Sequence, residues 1–244
     1  MTGVGSTEPP AGAGAGTGGV GSTEPPRSGS AGFAGAGAGT ALYIAAKAPQ
    51  PGQVKTRLAR AIGDEAAASL YSAFLDDLAG RFPDASWFVT SPEDWAGWPR
   101  PTLAQPPGDW TERQSALFRG APARGESRVV LLASDSPQLP AATVAEAFRL
   151  LETHDVVLGP VRDGGYYLIG MRGWHDVLAG VAMSTSSVLE EVIACARARG
   201  LSLALVEPTY DVDEVDDLAL LGDDPAEMPA TRAALAALRA GVPA

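Results

Sequence analysis

From residue 41 onward the chain is built from short apolar runs that do not alternate with polar residues: "ALYIAA" (41–46), "ASWFVT" (85–90), "RVVLLA" (128–133), "DVVLGP" (155–160), "GYYLIGM" (165–171) and "LSLALV" (201–206). A strand wetted on one face alternates apolar with polar residues. A continuous run is expected where both faces are covered, as in a parallel sheet packed between helices. Segments of helical spacing separate several of the runs: 63–82, with Leu70, Phe74, Leu75 and Leu78 on one face, then 140–152 and 185–199. The C-terminal segment 228–241, with Leu235 and Leu238, suits a final helix packed on the domain. The pattern predicts an α/β domain whose mostly parallel sheet carries helices on both faces. In such sheets ligands bind beyond the carboxyl ends of the strands.

Residues 1–40 are of another kind. They consist mainly of Gly, Ala, Ser, Thr and Pro, and "GVGSTEPP" occurs at 3–10 and again at 19–26. So little apolar side chain cannot offset the entropy of ordering, which predicts a disordered tail ahead of a single domain over 41–244. A formal net charge of -11 argues against nucleic acid or an anionic membrane as partner. The lone cysteine, Cys195, excludes an internal disulfide or a thiolate zinc cluster and suits a reducing cytoplasm, where this protein is expected. No run approaches the roughly 20 apolar residues of a membrane span, and the N-terminus lacks the order of a secretory leader.

Both lysines of the chain lie in "KAPQPGQVKTRL" (47–58), whereas every other basic side chain is arginine. Lysine is a compact point charge and arginine a planar fork, so a site that tracks phosphate can distinguish them. This loop leaves the first predicted strand, where Pro51 and Gly52 would turn it and bring Lys47, Lys55 and Arg57 towards one anion. It has neither the glycine spacing of a Walker A loop nor G-x-G-x-x-G. Asp135 follows the apolar run 129–132 with only Ala133 and Ser134 between, where a charge must be paired or bind a cation. In "YDVDEVDDL" (210–218), Asp211 and Asp213 share one face if the segment is extended, while Asp216 and Asp217 suit the start of a helix. Magnesium or manganese is typically held by one or two carboxylates plus phosphate oxygens, so Asp135 and Asp213 could form one metal site.

Five segments together carry a resemblance: "KAPQPGQVKTRL", "SDSPQLP", "HDVVLGPVRDGGYYLIG", "STSSVLEEV" and "YDVDEVDDL". In order and spacing they resemble a bacterial family of GT-A-like transferases, the radical-SAM/selenodomain-associated transferases, over roughly 41–221. That family is similar in turn to the 2-phospholactate guanylyltransferases. The resemblance implies a nucleotide-diphospho-sugar transferase (GT-A) fold with a nucleotide at the loop after the first strand. It implies that Lys47, Lys55 and Arg57 bind phosphate and that Asp135 and Asp213 ligate the metal, Asp213 ranking above Asp211 because the later ligand of the related enzymes heads a turn of Asp-Thr type. It also implies that Asp163, Gly164, Gly165 and Tyr166 form a turn lining the acceptor pocket, with Ser184 and Thr185 facing the acceptor. The usual "GDLGERM" of the family stands here as "GDWTERQ" (108–114), Met183 replaces a tryptophan, and Glu214-Val215 replaces Thr-Pro.

On this basis the leading expectation is nucleotidyl transfer. A phosphorylated acceptor attacks the α-phosphate of a nucleoside triphosphate, pyrophosphate leaves, and Lys55 and Arg57 neutralise its charge. Glycosyl transfer from a nucleotide sugar is the alternative, with Asp163 as base, and a non-catalytic nucleotide-binding protein is a third reading.

Overall fold

The computed structural model describes residues 39–241 except 184 and 225, so the tail expected over 1–40 lies almost wholly outside the described residues. Strand β1 (Thr40–Ala46) begins one residue before the apolar run. The lysine loop leads to α1 (Thr56–Ile62) and then α2 (Asp64–Arg81). Strands β2 (Ser86–Val89) and β3 (Thr102–Ala104) precede α3 (Trp110–Gly120) and β4 (Arg128–Ala133). The chain continues through α4 (Ala141–Leu150), β5 (Val156–Pro160), β6 (Tyr166–Arg172) and α5 (Val188–Ala198). It ends with β7 (Leu203–Leu205), α6 (Asp217–Asp223) and α7 (Pro229–Arg239).

The strands form one sheet in the order β3-β2-β1-β4-β6-β5-β7. Pairing is parallel throughout except at β6, which runs antiparallel to both β4 and β5. Alternate residues face opposite layers, which is why the runs read as continuously apolar. Leu42, Ile44, Val130 and Leu132 pack with Phe74 and Leu78 of α2, Phe148 of α4 and Leu235 of α7. Tyr43, Val129, Leu131 and Ile169 pack on the other side with Leu117 and Phe118 of α3 and Val192 of α5. Three elements escape the sequence pattern, the first being the seven-residue α1 within what reads as a loop. Strand β3 has three residues at a sheet edge, and α3 has a polar first turn fixed by a capping box in which Glu112 N–H donates to Asp109 Oδ1 (2.8 Å) and Asp109 N–H to Glu112 Oε2 (2.9 Å).

One carboxylate pins the β5, β6 and β7 end of the sheet. Asp155 Oδ2 accepts from the hydroxyl (2.6 Å) and amide (2.9 Å) of Ser202, and Oδ1 accepts from Arg172 Nη2 (2.7 Å). The Ser202 hydroxyl, the Arg172 guanidinium and the Ser202 amide hold this carboxyl well below the usual carboxylate range. A depressed pKa stabilises the fold above the ordinary carboxylate pKa and loses that contribution as pH falls. Asp155→Asn is therefore expected to cost about 1–2 kcal/mol at pH 7 in urea unfolding, and the gap to wild type should close as pH falls below about 4. Among the described residues, no helix is long and apolar enough to cross a membrane.

Candidate active site

Strand β1 is the place where the chain reverses its direction across the sheet, since β2 and β3 lie on one side of it and β4 on the other. Ala45 and Ala133 are register partners, so Lys47 and Asp135 both emerge two residues later into the crevice between adjacent carboxyl ends. That crevice opens into a cleft of about 690 Å³.

Lys55 lines it. Its backbone is left-handed (φ 47°, ψ 42°), unusual for a residue other than glycine, and it caps α1, whose Ala59 N–H donates to Lys55 O (2.8 Å). The side chain is 3% exposed. Its ammonium contacts Asp135 Oδ1 and Asp213 Oδ1, the latter at 3.1 Å, and lies 5.8 Å from the ring centroids of both Tyr71 and Phe74 on α2. Burial alone would depress this amine. The charges of Asp135 and Asp213 outweigh burial and hold it above its ordinary value. Arg57, at the cleft mouth, reaches Asp213 Oδ2 at 3.6 Å with its side chain 62% exposed. Lys47 is exposed and lines the same cleft. The three loop cations thus share the cleft, with the ammonium of Lys55 turned towards the carboxylates.

Local backbone ties explain how distant segments meet. Val212 N–H donates to Asp135 O (2.9 Å), which lays residues 211–213 beside the end of β4. Asp217 Oδ2 accepts from the amides of Asp213 (2.9 Å) and Glu214 (2.8 Å), fixing the turn, and α6 starts at Asp217 as the sequence suggested. Asp211 points to a different partner, accepting from Ser136 Oγ at 2.6 Å. Burial, and next the charge of Asp135, push its carboxyl up to about 7.

Two carboxylates converging on one nitrogen form an all-oxygen donor pair already arranged around a cation, which suits a hard divalent ion such as magnesium or manganese. Among the described residues no group of three or more His, Cys, Asp and Glu side chains is placed to hold a metal, so further ligands would have to come from substrate or water.

The opposite wall comes from the turn before β6 and from α3. Asp163 Oδ1 accepts from Gly165 N–H at 3.0 Å, and Asp163, Gly165, Tyr166 and Thr185 all line the cleft. Tyr166 and Tyr167 diverge as adjacent strand residues must, Tyr167 entering the core (1% exposed) while the Tyr166 hydroxyl donates to Gln114 Oε1 (3.0 Å). Gly164 lies behind this wall, where its φ of +92° and the backbone of Ser186 exclude any side chain. Pro51 and Gly52 are exposed at the outer turn of their loop and shape it without being among the cleft-lining residues. Ser184 lies outside the described residues.

Several cleft residues were not anticipated. Tyr71 shares a 2.7 Å hydrogen bond with Ser134 Oγ, accepts from Lys47 N–H (3.3 Å) and supports the Lys55 ammonium. Burial, and next the charge of Asp135, raise its phenol to about 12. Gln105, Trp110 and Arg113 line the α3 side, where Arg113 Nη1 donates to Gln105 Oε1 (3.3 Å). The "GDWTERQ" segment was the available signal for Trp110 and Arg113, and a tyrosine in an otherwise apolar helix face was the signal for Tyr71.

The sheet order and the switch-point cleft are those expected of the nucleotide-diphospho-sugar transferase, or GT-A, fold. A crystal structure from Desulfovibrio desulfuricans G20, described as a nucleotide-diphospho-sugar transferase, superposes with a TM-score of 0.77 at 30% identity, covering 84% of this chain and 96% of that one. A family profile described as "Uncharacterized protein conserved in bacteria (DUF2064)" matches residues 77–185. A 3-phospho-D-glycerate guanylyltransferase of Phenylobacterium zucineum (strain HLK1) is 36% identical over 188 residues, 67% of this chain and 81% of that protein. The chain belongs to the family of this guanylyltransferase, as a GT-A-type transferase related to nucleotidyltransferases.

Proposed function

We propose that the chain transfers a nucleotidyl group from a nucleoside triphosphate to a small phosphorylated acid, releasing pyrophosphate. The observation that carries this reading is the convergence of Lys55, Arg57, Asp135 and Asp213 in the switch-point cleft, a cation and carboxylate set matched to a metal-bound polyphosphate. Support for the acceptor class comes from the guanylyltransferase relative, whose name specifies 3-phospho-D-glycerate, and makes GTP the first donor to test.

The acceptor's phosphate oxygen forms the new bond to the α-phosphorus, and the bond from that phosphorus to the bridging oxygen breaks, its electron pair leaving with pyrophosphate. A phosphate nucleophile is already ionised, so the step requires no general base. A divalent cation held by Asp135 and Asp213 would supply charge neutralisation on the phosphate oxygens. Lys47 and Arg57, at the exposed side of the loop, meet the β- and γ-phosphates, and Lys55 joins them once a polyphosphate competes for its charge. The turn at Asp163 to Tyr166, with Thr185, bounds the space left for the acceptor. Asp163 already accepts from Gly165 N–H, and in this reading it positions the turn and takes no proton.

The test is pyrophosphate release with magnesium across a panel of nucleoside triphosphates, phosphorylated acids and nucleotide sugars, with thermal shift recorded in parallel. Pyrophosphate release with a triphosphate and a phosphorylated acid is expected. Thermal stabilisation by nucleotide sugars alone, without pyrophosphate release, would overturn the reading in favour of glycosyl transfer. In metal-free buffer, Lys55→Ala is expected to weaken triphosphate binding by about 1.5–3 kcal/mol while sparing the bare nucleoside. That difference, followed by calorimetry, should shrink with added salt.

A further inference from the structure

We infer that Lys55 is the resting occupant of the cation site, so that the free protein binds divalent metal poorly and takes it up together with the triphosphate. The inference rests on the reading of Asp135 and Asp213 as metal ligands and goes beyond it to the order in which ligands enter.

Four observations lead there. Both carboxylates direct an oxygen at the same nitrogen, so the ammonium already engages the two groups that would hold a dication. The ammonium is withdrawn from water at 3% exposure, with Tyr71 and Phe74 beneath it, so its stabilisation comes from those carboxylates and ring faces. The carboxylates themselves remain 38% and 43% exposed to the cleft, so a ligand can reach them without unfolding the wall. Lys55 and Arg57 balance Asp135 and Asp213 in formal charge, which leaves this quartet no net charge with which to draw in a free dication. A metal placed on the two carboxylates while the ammonium stayed would set like charges against each other in a poorly hydrated pocket. Lys55 can leave only for another concentration of negative charge, and a polyphosphate provides it. This accounts for the residue type. A compact ammonium fits between two carboxylates where a guanidinium fork would span them, in a chain that otherwise uses arginine.

Manganese binding to the full chain, measured by calorimetry without nucleotide, tests the inference in wild type, Lys55→Met and Lys55→Gln, each with and without Asp135→Asn. Removing the ammonium is expected to tighten Mn²⁺ binding by roughly tenfold or more, and Asp135→Asn should abolish the gain. Equal affinity in wild type and both Lys55 variants, tight or weak, overturns the guarding role. If in that case GTP confers Mn²⁺ binding that Asp135→Asn removes, the metal-ligand reading still stands. If no form binds Mn²⁺ with or without GTP, the metal-ligand reading falls and takes the inference with it. A measurement on wild type alone guards against variants that fail to fold. Amine acylation read by mass spectrometry should label Lys55 far less than Lys47, and Mn²⁺ alone should not change the ratio. A rise in Lys55 labelling with Mn²⁺ alone would show that metal displaces the ammonium unaided, and would overturn the inference.

Discussion

Asp135→Asn is expected to lower turnover by about 10²–10³-fold, the range for losing one preorganised charge-stabilising group, while the protein unfolds at nearly the wild-type temperature. The asparagine keeps the shape of the side chain at the end of β4 and loses its charge. Stability should hold because the side chain is 38% exposed and its salt-bridge partner Lys55 retains Asp213 at 3.1 Å. The backbone tie from Val212 N–H to Asp135 O, which seats residues 211–213, does not involve the side chain. Steady-state pyrophosphate release titrated with magnesium is the measurement, and the variant should show little magnesium dependence at any concentration. Turnover close to wild type, with an unchanged magnesium requirement, would remove Asp135 from the metal site.

Gly164→Ala is expected to cost about 3–5 kcal/mol, more than the 1–3 kcal/mol of backbone strain alone. An added Cβ would stand 1.9 Å from Ser186 O and 2.7 Å from its carbonyl carbon, at a φ of +92°. Both obstacles are main chain, so no rotamer relieves them. The turn is held on both sides, with Gly164 N–H donating to Val161 O (3.2 Å) and Leu189 N–H donating to Gly164 O (3.0 Å). Relief would require the Asp163 turn and the loop before α5 to separate, and both line the cleft. Gly165→Ala provides the contrast. Its Cβ would meet only side chains, Val161 Cγ2 at 3.2 Å and Asp163 Oδ1 at 3.3 Å, and its φ is not positive. Urea unfolding of the two variants should therefore differ by several-fold in destabilisation. In whatever fraction of Gly164→Ala folds, acceptor use should suffer more than triphosphate binding, because the lysine loop lies on the other wall. Equal behaviour of the two variants would mean that the turn is not clamped against α5.

Much of this architecture was legible because burial on both faces of a sheet leaves a direct mark on composition. The runs containing Leu42, Val130, Val157 and Leu168 could be read as strands because the residues between them also had to be apolar. The placement of Lys47 and Asp135 beyond strand ends, and the grouping of Asp135 with Asp213, followed from the rule that such sheets bind ligands at their carboxyl edge. Helix α3 was not legible. Its start depends on the Asp109 and Glu112 capping box rather than on an apolar stripe, and a three-residue edge strand such as β3 carries too little pattern to register. What only the tertiary structure decided is which charges meet. Lys55 was read as one of three cations awaiting an anion, yet its ammonium is turned inward by a left-handed backbone and held by Asp135, Asp213 and the rings of Tyr71 and Phe74. Those partners come from three separate segments, the end of β4, the stretch before α6 and helix α2. Local periodicity reports whether a residue is buried, but the pairing of charges depends on the register of β1 against β4 and on the backbone tie at Val212, which no short stretch of sequence encodes.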